Sequence, residues 1–121
     1  MPGRKTDEQK LQLREIQQKQ LDEMTGKAVR LVTTMVAGRN PTVNSHFFRG
    51  PSVIHLRHVV ICHVFRTDGD WTIAKTNGLA QDIQKLTREA LVTVGYSPKE
   101  AAQVSIHFMS DEGIQRSKIP Q

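Results

Sequence analysis

The chain reads as an α+β domain. The expected elements are a long N-terminal helix, an antiparallel three- to four-stranded sheet built on a β-hairpin, a second amphipathic helix and a final strand, stacked as a two-layer sandwich. Three observations predict it. The longest β-branched, apolar run, Val53–Arg66, is followed by Asp68-Gly69 and then by Trp71–Lys75, the pattern of two strands joined by a type I′ turn. A helix-period stretch precedes this run and another follows it. At 121 residues the chain can bury one modest core but not two.

The first helix starts at a capping box, Thr6-Asp7-Glu8-Gln9, and its pattern continues to about Ala37. Gly38 suits an αL stop, and Pro41 lies just beyond it. Leu21, Met24, Ala28, Leu31 and Met35 recur at alternating spacings of three and four, and Val29, Val32 and Val36 widen the stripe into a core-facing surface. Upstream, Leu13 and Ile16 stand among glutamines and charges. A helix over Asp7–Ala37 would run about 45 Å, beyond the ~30 Å width of a small domain. Residues 1–26 are therefore expected to project as an oligomerisation or partner helix, with Leu13, Ile16, Leu21 and Met24 as its contact residues. Gly26 marks where it would part from the core domain, residues 27–112, and residues 113–121 read as a flexible tail.

Asn40–Gly50 reads as a loop or short edge strand. In a strand, adjacent Phe47 and Phe48 point to opposite sides, which would put one in the core and leave the other to stack on a base or an aromatic partner. The favoured reading is that both plug the gap between helix and sheet. On the long strand the even positions Ile54, Leu56, His58, Val60, Cys62 and Val64 read as the core face. The odd positions, with His55, Arg57 and His63, make the mixed face. A two-residue Asp68-Gly69 loop would pair Arg66 with Trp71 and allow a cation–π contact. Asn77 then caps a second helix whose stripe is Leu79, Ile83, Leu86, Ala90 and Val94, ended by Gly95. Ser97-Pro98-Lys99-Glu100 opens one further helical turn. Val104–Met109 alternates as a last strand, with Val104, Ile106 and Phe108 inward.

Seventeen basic and twelve acidic residues give a net charge of +5, unevenly spread. Between Glu23 and Asp68 no acid occurs, whereas Lys27, Arg30, Arg39, Arg49, Arg57 and Arg66 lie there with His46, His55, His58 and His63. Such a field favours nucleic acid or an acidic protein surface as partner. The lone Cys62 excludes an internal disulfide and reads as a small buried hydrophobe. No apolar run is long enough for a bilayer and no secretory h-region is visible, so a cytoplasmic protein without membrane contact is expected. His55 and His63 lie roughly 26 Å apart along a strand and cannot share a metal ion. No phosphate loop, GxSxG or cysteine–base pair is present. No metal, cofactor or catalytic residue is assigned, and an enzyme is the less favoured class.

The resulting expectation is a small basic binding protein. It would contact nucleic acid through His46, Arg49, His55, Arg57, His63 and Arg66, chiefly at phosphates and with little sequence readout. The alternative is a protein-interaction module (adaptor, assembly factor or inhibitor) acting through its N-terminal helix, as a homodimer or higher oligomer.

Overall fold

The computed structural model describes residues 7–50 and 59–118, with side chains described for 12–50 and 59–117. Its elements run α1 (Asp7–Met35), β1 (Val43–Arg49), β2 (Val60–Phe65), α2 (Asp68–Thr76), α3 (Leu79–Val94), α4 (Pro98–Gln103), β3 (Ser105–Ser110) and α5 (Asp111–Lys118). The α+β class and the long first helix stand. The sheet differs from expectation: three strands in the order β1-β2-β3, with β1 antiparallel and β3 parallel to the central β2.

The difference arises at Thr67-Asp68-Gly69-Asp70, which begins a helix and not a hairpin. The Thr67 hydroxyl accepts the Asp70 N–H at 3.0 Å, and Asp68 and Asp70 place carboxylates in the first turn, where the helix dipole favours them. A type I′ turn would need positive φ at Gly69. Among the described residues only Gly50, Gly78 and Gly95 have it. Trp71–Lys75 is consequently helical and the Arg66–Trp71 pairing does not form. The Trp71 ring stacks beside Phe65 and Phe108, at 5.9 and 4.8 Å between centroids, and its cation is Lys75, whose Nζ lies 4.9 Å from the ring centre. From α2 the chain returns through α3 and α4 to β3, the long crossover that parallel pairing requires.

A central strand has no wet face, and this overturns the face assignment. Ile61, Cys62, His63, Val64 and Phe65 are all buried. It is the odd side of β2 that meets the helices. Val59, Ile61 and Phe65 join Ile106, with Phe48 and Phe108 at its margin, against Val29 and Val32 of α1 and Leu79, Ile83 and Leu91 of α3. The alternation rule presumes one solvated face, which suits an edge strand better than a flanked one. His63 misled it further, because an imidazole looks polar in sequence but is satisfied here inside the core.

The packed stripe of α1 is Thr25, Ala28, Val29, Val32 and Val36. Leu31 and Met35, expected within it, are 36% and 51% exposed. Both stripes obey helical spacing, and rotation about the axis chooses between them. That rotation is set by contacts from α3 and the turn after it. The Thr25 and Tyr96 hydroxyls lie 2.8 Å apart, and Arg39 pairs with Asp82 at 2.9 Å. The helix ends at Met35, two residues early, and Gly38 does not adopt positive φ.

Other local readings stand. Gly95 ends α3 at φ 130° and Ser97 caps α4 through the Glu100 N–H, while Asn77 ends α2 and accepts the Leu79 N–H at 2.9 Å from one residue before Gly78, which takes the N-cap position of α3. Ile106 and Phe108 of β3 face the helices. Through Lys118, the stretch expected as a flexible tail is instead part of α5. That helix is held by an Arg116–Asp68 ion pair of 2.6 Å and by Glu112, which accepts the Asp68 N–H at 2.8 Å. The readings of Thr6, of Val53–His58 and of residues 119–121 lie outside the described residues.

Candidate nucleic-acid interface

The register of the two ladders builds the second face of the sheet in three rows. Ser45, Val64 and Met109 form one row, Phe47, Cys62 and His107 the next, and Arg49, Val60 and Ser105 the third. The six outer residues are exposed, while Cys62 and Val64 are buried between them. Phe47 is 49% and Met109 39% exposed. No acid stands in the nine positions. The arrangement offers an exposed aromatic ring, with a guanidinium in the next row and an imidazole across the buried central strand. These are the parts of a surface that stacks bases and attracts phosphates.

The candidate residues separate on this frame. Phe47 and Phe48 do not both fill the gap between helix and sheet: adjacency in the strand sends Phe47 to the second face, exposed, and Phe48 against the core. Arg49 is exposed at the end of β1. His46 faces the helices, partly buried. Burial first, and then the Arg30 charge, hold its pKa below the ordinary value, so it is neutral at pH 7. His63 is 1% exposed and its Nε2 lies 3.1 Å from the Thr87 hydroxyl. Desolvation and then His46 push its pKa down to about 4. A neutral, enclosed imidazole has no access to phosphate. Arg66 is exposed just past β2, at the far end of the ladder from Arg49, roughly 20 Å away at ~3.3 Å per residue. His55 and Arg57 lie outside the described residues. The acid-free middle of the chain is thus not one patch: Arg39 is paired with Asp82 and Arg30 sits on the helix side, near Gly26 and Phe48.

Arg66 lines a cleft of about 540 Å³ with Asn40, Thr42, Asn44 and Asp70, where the α1–β1 loop meets the start of α2. Asn44 also bonds Asp111, which ties the cleft to the end of β3. Burial pushes the Cys62 thiol up to about 11, so it stays protonated and is no nucleophile at neutral pH. No group of three or more His, Cys, Asp or Glu residues that could hold a metal occurs among the described residues. No helix among them is long and apolar enough to cross a membrane.

On α1, Leu13 and Ile16 are 41% and 56% exposed, whereas Leu21 and Met24 are partly buried, Met24 against the core. The four candidate contact residues therefore divide into two that are free and two that meet the body.

Neither His107 nor Asp70 carries a signal in the sequence for the place it takes here. The alternation of β3 does turn His107 away from Ile106 and Phe108, but its place beside Cys62 depends on parallel pairing. Asp70 reaches the cleft because it stands in the first turn of α2 and not in a hairpin.

Fold and face together define a small α+β protein with one sheet surface packed on the helices and a second whose outer-strand residues are exposed around a buried central strand. Comparison with protein-family models, with curated proteins and with solved structures finds no match for this chain.

Proposed function

We propose that this is a nucleic-acid-binding protein, and a binding protein rather than an enzyme, which takes a single strand across the open face of its sheet. The observation that carries this reading is the acid-free row structure of that face, with Phe47 exposed beside Arg49 and opposite His107. Phe47 supplies a stacking platform and Arg49 a phosphate contact. Arg66 supplies a second cationic contact at the far end. Contacts of this kind are largely indifferent to sequence and weaken steeply with salt. Fluorescence anisotropy with short labelled oligonucleotides, in a salt series from low ionic strength, tests it. Binding is expected to weaken with salt, and Arg49→Ala to reduce the slope by about 1. Absence of binding at low salt rejects the reading.

A second reading, a protein-interaction or self-association module, is favoured by the exposure of Leu13 and Ile16 on the part of α1 that precedes its contacts with the body. Light scattering on the Leu13→Glu/Ile16→Glu variant separates the two readings. A change of mass without a change in oligonucleotide affinity belongs to the second.

A further inference from the structure

The cleft at the end of the sheet contains an arrangement that phosphate binding alone does not need. Arg66 and Asp70 both line it, yet neither side chain forms an ion pair or a side-chain hydrogen bond with another described residue. The Thr67 cap uses the backbone N–H of Asp70 and leaves its carboxylate unused. Asn40, Thr42 and Asn44 add amides and a hydroxyl, in a space within the usual range for ligand clefts.

A carboxylate beside a phosphate site repels the phosphate. It can only accept hydrogen bonds, so an uncharged ligand group that pairs with it is a donor. When Arg66 holds a backbone phosphate, the nearest donor is the hydroxyl of the adjoining sugar, present in ribose and missing in deoxyribose. We infer that the Arg66–Asp70 cleft selects RNA over DNA, with Arg66 on a phosphate and Asp70 accepting from the neighbouring ribose 2′-hydroxyl. The inference rests on the open face being a nucleic-acid interface. A 2′-hydroxyl is the group through which proteins distinguish the two polymers, and a hydrogen bond to a charged acceptor supports ~10-fold selectivity.

The test uses RNA and DNA oligonucleotides of one sequence, titrated at low salt into the full chain and its variants. The wild type is expected to bind RNA ~10-fold tighter than DNA. Asp70→Asn and Asp70→Ser should weaken RNA and leave DNA unchanged or slightly tighter, whereas Arg66→Ala should weaken both alike. Melting curves of each variant confirm that it is folded. Equal affinity for RNA and DNA overturns the inference while the interface reading stands. So does a preference that follows one base in homopolymers instead of the sugar. Failure of both polymers to bind overturns the interface reading and the inference with it.

Discussion

His63 donates from Nε2 to the Thr87 hydroxyl across 3.1 Å, joining the central strand to α3 inside the core. The direction follows from the hydroxyl's single proton, which goes to the Ile83 carbonyl at 2.6 Å and leaves the oxygen to accept. The imidazole is therefore the neutral Nε2–H tautomer, and protonation would place a charge in a desolvated site.

This has a consequence for acid stability. The folded pKa, about 4, lies below the ordinary 6.5, so the unfolded chain binds the extra proton. Stability should be complete above about pH 6.5 and fall as pH drops toward 4, by about 3 kcal/mol over the whole window and roughly 2 kcal/mol by pH 5. His46, also depressed, acts in the same direction. The Asp68 carboxylate, held down first by Arg116 and then by Ser110, loses its contribution only below its ordinary value of 3.8. Denaturant melts from pH 7 to 5 should show the decline, and His63→Gln should flatten it. An unchanged slope in that variant would reject His63 as the source.

The helix that replaced the expected hairpin depends on its cap. Thr67→Ala should cost about 1 kcal/mol, a fall of roughly 3–5 °C in melting temperature, while Thr67→Asp should be nearly neutral. Had the segment been a turn with a following strand, the two substitutions would not differ in this way. Thermal melts by circular dichroism give the answer.

Phe47 and Phe48 make a matched pair of substitutions with opposite expected effects. Phe48→Ala removes a ring packed on the core and should cost about 2–3 kcal/mol of stability. Phe47→Ala should leave stability within about 0.5 kcal/mol and cut oligonucleotide affinity by ~1–3 kcal/mol. A Phe47 variant that binds as well as wild type would remove the stacking platform from the proposed interface.

Truncation separates the two halves of α1. Beginning the chain at Leu21 removes turns whose described side chains, from Gln12 on, are mostly exposed, and should leave the melting temperature unchanged. Beginning it at Lys27 also removes Thr25, whose hydroxyl meets that of Tyr96, and Met24, whose Cε lies against Gly95. That deletion should destabilise the fold by about 2 kcal/mol or more. Similar melting temperatures for both truncations would show that the Thr25 and Met24 contacts add little.

What was legible in the sequence was short-range. The caps at Asn77 and Ser97 and the stop at Gly95 involve groups within a few residues of one another, and the opposition of Phe47 to Phe48 follows from strand geometry alone. Lys27–Arg66 could likewise be seen to lack acids, because charge counts need no fold. The hairpin reading failed at this same range: Thr67-Asp68-Gly69-Asp70 satisfies both a turn and a helix start, and the stacking of Trp71 on Phe65 and Phe108 accompanies the helix.

By itself, the sequence determined the class, the ends of α3 and the start of α4, the lone buried thiol and an uncompensated run of basic residues. Only the tertiary structure decided the rest: that β3 lies parallel beside β2, that the odd face of β2 meets the helices, and that Arg49 and Arg66 stand at opposite ends of the β1–β2 ladder. The physical reason is that periodicity defines faces only relative to one another. Which face is buried is chosen by a partner distant in sequence, here Thr87 for His63 and Tyr96 for Thr25. The Arg66–Asp70 cleft depends on the same long-range choice, since a hairpin would have carried Asp70 into a neighbouring strand.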